Sequence, residues 1–146
     1  MRISTKGFYG AKAVLDLALH HGTGKIHKAD IARRQDIPEH YLAQLLSVLR
    51  RAGYVASVRG PAGGHTLAKP PSEITVAEVI ELLDGPQTPL ANLGGRAAIE
   101  AAEGRSAVHD LLVEAEETAI ATLRCTTFDD LVNRQREQNQ GLHFDI

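Results

Sequence analysis

Apolar residues recur along this chain in helical stripes broken by one alternating run, and their order predicts most of the architecture. From Phe8 they fall at Ala11, Val14, Leu15, Leu17, Ala18 and Leu19, a spacing that predicts a helix capped by Ser4 and stopped by Gly22 and Gly24. Ile31 and Ala32, followed by Ile37, mark a short second helix from Lys28 to about Gln35. Proline suits the first position of a helix because the N–H it lacks would have no partner there, so Pro38 is expected to open a third. Its apolar positions are Tyr41, Leu42, Leu45, Leu46, Val48 and Leu49, with Ala52 closing the run and Gly53 ending the helix. Tyr54–Arg59 is β-branched and alternating, and His65–Ala68 can pair back on it across Arg59-Gly60-Pro61-Ala62-Gly63-Gly64. Val76, Val79, Ile80, Leu82 and Leu83 then define a helix over 74–84, stopped by Gly85-Pro86.

Helix, tight turn, helix and glycine-rich hairpin in that order spell a winged helix-turn-helix, mainly α with a small β-hairpin. In such folds the N-terminal end of the second helix meets base edges in the major groove of duplex DNA. Opposite the apolar stripe this helix carries Glu39, His40, Gln44, Ser47, Arg50 and Arg51. Glu39, His40, Tyr41 and Gln44 are therefore the candidate base contacts. The hairpin turn has little side-chain bulk, so its backbone can approach a phosphate chain closely. Arg59 at its tip suits a narrow minor groove, whose negative potential attracts guanidinium. Arg2, Lys6, Lys28, Arg33, Arg50 and Arg51 are candidates for phosphate contact. His40 and His65 belong to these same elements, as polar contacts or as bystanders.

Beyond residue 84 the pattern changes. Residues 85–104 read as a connector or effector loop with a Gly-Gly break. In 105–125, Val108, Leu111, Leu112, Ala115, Ala119, Thr122 and Leu123 repeat at three and four, with Asp110, Glu114, Glu116 and Glu117 on the other faces. Val108, Leu111, Leu112, Ala115, Ala119 and Leu123 are the expected dimer seam, because a palindromic site needs two recognition helices. Thr127 and Asp130 form a capping-box pattern for a short helix to about Arg136 within the 105–137 arm, and 138–146 reads as a polar, frayed tail.

Three stretches carry a family resemblance: RISTKGFYGAKAVLDLAL, YLAQLLSVLRRAGYVASVRGPAGGHTLAKP and ITVAEVIELLDG. They resemble the IscR, NsrR and CymR family of bacterial winged-helix regulators over residues 1–85 and weakly beyond. The resemblance implies a homodimeric repressor or activator. It matches Tyr41, Gln44 and Arg59-Gly60-Pro61 to DNA-contacting positions. Iron–sulfur members place three cysteines in or just after the connector, where this chain reads Ser106-Ala107-Val108-His109. Thiolates are the ligands a cluster needs, and Cys125 is the one cysteine here. No cofactor is expected; a cluster belongs only to a parent sequence with cysteines in 91–106. Ser106, His109 and Cys125 remain sensor candidates, and a small-molecule or protein effector stays open.

Composition sharpens the picture in one respect. The formal charge of −2 is an average over unlike halves: residues 1–70 hold 11 Lys and Arg against 4 Asp and Glu, residues 71–146 hold 5 against 14. A basic half can meet phosphates, and an acidic half is repelled from them. The single cysteine fits a reducing compartment, and the start lacks a signal-peptide core, so a cytoplasmic location is expected. His20, His21 and His27 lack carboxylates or cysteines at metal-ligand spacing and read as solvated. No nucleophile–base pair or phosphate loop is present, which argues against an enzyme. A winged helix that binds protein instead of DNA is the alternative class; a steep salt dependence of duplex binding separates the two.

Overall fold

The computed structural model describes residues 1–87 and 106–144. Among the described residues, six α-helices and one two-stranded antiparallel hairpin follow in the order α1 (Thr5–Leu19), α2 (Lys28–Gln35), α3 (Glu39–Arg51), β1 (Val55–Val58), β2 (Gly64–Leu67), α4 (Val76–Asp84), α5 (Ala107–Cys125) and α6 (Phe128–Phe144). No described helix is long and apolar enough to cross a membrane. The expected connector, apart from Gly85–Gln87, lies outside the described residues.

Each boundary has a local cause. Ser4 caps α1 by accepting from the Gly7 N–H. The carboxylate of Asp84 accepts from the backbone N–H and the hydroxyl of Ser4, tying the start of α1 to the end of α4. The two helices meet closely because Gly10 has no side chain: a Cβ there would lie 2.0 Å from Leu83 Cδ1. Asp36 turns the chain out of α2 in a left-handed conformation. Pro38 then stands one residue earlier than expected, as the N-cap of α3 and not its first helical residue. Its ψ of 127° keeps it extended while its carbonyl accepts from Tyr41 and Leu42 N–H groups. Val55 pairs with Leu67 and Val58 with Gly64. A full capping box starts α4, with Glu78 accepting from the Thr75 N–H and the Thr75 hydroxyl accepting from the Glu78 N–H.

One core joins α1 to α4, the hairpin and the start of α6, with Val14, Leu17, Ile31, Leu42, Leu49, Ile74, Val79 and Phe128 at its centre. Burying such a side chain is worth about 1.5–3 kcal/mol. Within it lies a charge. Asp16 is fully buried on α1 and accepts two bonds from Arg34, at 2.9 Å from Nε and 2.7 Å from Nη2, plus one from Gln35. That bidentate pair fastens α2 to α1 and favours the charged guanidinium.

Three sequence expectations change here. Phe8 is 56% exposed, with its ring stacked on Tyr9 and Lys12 Nζ 5.4 Å from its centre, because the inward side of α1 at that level is filled by Gly7 and Gly10 against α4. Phe128 and Val132 belong to the winged core: the Val76 N–H donates to the Thr126 carbonyl and the Phe128 N–H to the Ile74 carbonyl, each at 2.9 Å, which draws α6 onto it. The polar tail is helical, since α6 continues through Phe144. Its start is capped as the sequence predicts, by reciprocal bonds between Thr127 and Asp130.

Candidate nucleic-acid interface

The amphipathic period of α3 decides what it offers. Leu42, Leu45, Leu46 and Leu49 are buried, so Glu39, His40, Gln44, Arg50 and Arg51 stand in solvent on the other side. Tyr41 is half-buried, its ring edge-on to Tyr9 at 5.8 Å, which leaves one margin of the phenol beside the exposed end of the helix. Glu39 pairs with Lys28 at 3.8 Å across the turn. Arg51 is bonded to the Ser47 carbonyl of its own helix.

The wing projects beside α3. Arg59, Gly60 and Pro61 are all exposed. The turn is tight because Gly63 is bare: a Cβ there would meet the Val58 carbonyl oxygen at 2.1 Å. The hairpin is stitched to the loop before α2 by reciprocal backbone bonds between Ile26 and His65, 2.8 and 2.9 Å long.

Between α2, α3 and the wing runs a cleft of about 530 Å³. Of the candidate contacts it gathers Lys28, Arg50, Arg59 and Gly60, together with Ser47. It also brings in His27, Ser57 and His65, of which His27 was assigned to solvent on sequence alone. His65, directly after the Gly63-Gly64 pair, is the hairpin histidine that the sequence offers as a polar contact or a bystander. Arg2 and Lys6 do not line this cleft. The Arg2 N–H donates to Gln87 and the terminal ammonium is 2.7 Å from Glu116, so the N-terminal arm lies against the end of α4 and α5.

The arm separates into two faces. Ile120 is the one buried residue of α5, and Leu123 packs on the winged core, so Leu123 belongs to the inner face. Val108, Leu111 and Leu112 are 66%, 62% and 44% exposed and point outward with Ala115. Ala119 is half-buried between the two. The sensor candidates do not converge. Ser106 caps α5, accepting from the His109 N–H, whereas Cys125 lies at the far end, about 27 Å away along a helix of that length. Cys125 is exposed, against the usual habit of a lone cysteine, because the Ile120 and Leu123 side of α5 is the one that meets the core. One thiol does not supply the donor set of an iron–sulfur cluster, and no group of three metal-ligating side chains occurs among the described residues.

Exposed recognition helix, projecting wing and basic cleft on one domain define a winged helix-turn-helix regulator of transcription. The chain belongs to the Rrf2 family, described as iron-dependent transcriptional regulators, whose model matches residues 3–134. It is 35% identical over 146 residues to the HTH-type transcriptional regulator CymR of Bacillus subtilis, covering 100% of each chain. With the HTH-type transcriptional regulator IscR of Photorhabdus laumondii it shares 41% identity over 135 residues, 92% of this chain and 81% of that one. The solved structure of CymR, the global cysteine regulator of B. subtilis, superposes with a TM-score of 0.79 at 36% identity, over 92% of this chain and 98% of that one.

Proposed function

We propose that this chain is a cytoplasmic, homodimeric regulator that reads a palindromic operator in a sequence-specific way, without an iron–sulfur cluster, and that it binds rather than catalyses. The observation that carries this is a basic cleft where Ser47 and Arg50 of α3 meet Lys28 and the exposed Arg59 tip, with Glu39, His40 and Gln44 exposed toward the N-terminal end of the same helix. Such a surface fits a helix in the major groove and a hairpin in the neighbouring minor groove. Phosphate contacts from Lys28, Arg50 and Arg51 position the protein; base contacts from Glu39, His40, Tyr41 and Gln44 specify the site. The outward stripe of Val108, Leu111, Leu112 and Ala115 supports pairing of two α5 helices. The single cysteine supports control by something other than a cluster, through a small-molecule or protein effector.

Arg59→Ala and Gln44→Ala test the assignment. Each is expected to weaken binding to a duplex selected from a random pool by about 1–3 kcal/mol, leaving the circular-dichroism melt unchanged. Unaltered affinity in both variants contradicts it.

A further inference from the structure

Three elements bring fixed cations to the cleft beside α3: Lys28 from the start of α2, Arg50 from α3 and Arg59 from the wing tip, with His27 and His65 of β2 lining it as well. Lys25 flanks Gly64 in the loop that pairs with β2. None of the described lining residues is Asp or Glu; the acid beside them, Glu39, lies 3.8 Å from Lys28 and is largely exposed.

His65 is the fixed member of this group. Its backbone is bonded both ways to Ile26, and its ring Nδ1 lies 2.7 Å from Ser57 Oγ. A hydroxyl can donate or accept, so Ser57 partners Nδ1 in either protonation state. Nε2 is then the ring atom left for a ligand. We propose that the cleft seats a backbone phosphate of the bound duplex between Lys28, Arg50 and His65, and that each protomer takes up a proton on His65 as it binds DNA. This rests on the DNA-facing assignment of the same surface and adds a linkage to it.

The direction follows from the free protein. Burial, then the neighbouring Lys28, Arg50 and His27, hold the His65 imidazole below its ordinary value, which favours the neutral ring in the free protein. A phosphate reverses that balance and raises the value. Proton uptake on binding makes affinity rise as pH falls through the bound-state value, and level off below the free-state value.

The test is fluorescence anisotropy with the selected duplex at fixed ionic strength, from about pH 8 to about pH 5.5. The wild type is expected to gain up to about tenfold in affinity per pH unit for each His65 engaged. His65→Gln is expected to flatten that slope, and His21→Gln, exposed after α1 and outside the cleft, to keep it. Nuclear magnetic resonance on the wild-type protein gives a second measurement that needs no variant: the His65 ring is expected to titrate at higher pH with duplex than without. A slope that survives in His65→Gln, or a His65 titration that duplex does not move, overturns the proposal. Inorganic phosphate at matched ionic strength separates the sources. Saturable displacement of the duplex by phosphate alone would make this a free-anion pocket and equally overturn it. Loss of binding in Arg59→Ala and Gln44→Ala with no proton linkage removes this inference alone; unchanged binding in both removes the interface beneath it.

Discussion

Helices α1 and α5 share a similar amphipathic pattern, and they end up in opposite circumstances. Over 15 residues α1 buries seven, closing on α4, α2, α3 and α6 within its own chain. Over 19 residues α5 buries Ile120 alone and leaves Val108, Leu111 and Leu112 facing out. Isolated apolar side chains on a surface are ordinary; a row at helical spacing marks an association surface. Folding among the described residues therefore completes α1, while the exposed row on α5 supports the proposed pairing of subunits. The same division appears in charge: the basic first half carries α3 and the wing, and the acidic second half carries the arm. On the proposed reading, repulsion between an acidic arm and phosphate favours keeping the arm away from DNA.

Breaking one side of this contrast should leave the other intact. The largest effect is expected from Arg34→Ala, which removes the guanidinium partner of the buried Asp16 carboxylate and leaves it the Gln35 amide. A loss of about 3–5 kcal/mol in denaturant unfolding is expected, independent of protein concentration. Next comes Leu111→Glu combined with Leu112→Glu. Sedimentation velocity is expected to show a monomer whose thermal melt barely changes, with operator affinity reduced about 100-fold as the second half-site contact is lost. A variant that stays dimeric would mean that another surface pairs the subunits. Smallest is Thr75→Ala at the capping box of α4, expected to cost about 1 kcal/mol near neutral pH. Burial pushes the Glu78 carboxyl up, but bonds from the Thr75 backbone and hydroxyl, the Tyr54 hydroxyl and nearby Lys69 hold it below its ordinary value. Stability from this group is thus present above the unfolded carboxyl value, about 4.3, and lost as pH falls through the folded one. The Thr75→Ala deficit should shrink in the same acid window.

The winged half was legible because period, caps and breakers agree there. Ser4, Gly53, the Thr127–Asp130 pair and the helix spacing of α3 each have one local meaning, and the chain folds accordingly. What stayed hidden depends on partners far away in sequence. Asp16 sits within an apolar stripe, and nothing local says that Arg34 and Gln35 will neutralise it. Phe128 reads as one apolar residue at a helix start, yet strand-like bonds at Ile74–Val76 draw it into the core. Leu123 shares the heptad-like spacing of the outer seam but turns inward, a rotation of α5 that periodicity cannot fix. The polar stretch after Gln138 has no apolar stripe to announce its helix, and it continues because α6 is already nucleated and capped. Among the candidate contacts, the exposure of Gln44 and Arg59 followed from local pattern, whereas the meeting of Lys28, Arg50, Arg59 and His65 in one cleft needed the hairpin paired with the loop before α2.

The most direct test of a two-fold reader is selection of bound sequences from a random duplex pool with the purified full chain. An inverted repeat should be enriched, its half-sites about one helical turn or a multiple apart, and the Leu111→Glu, Leu112→Glu variant should enrich single half-sites weakly or not at all. Enrichment of a sequence without two-fold symmetry, or of none, would contradict the account.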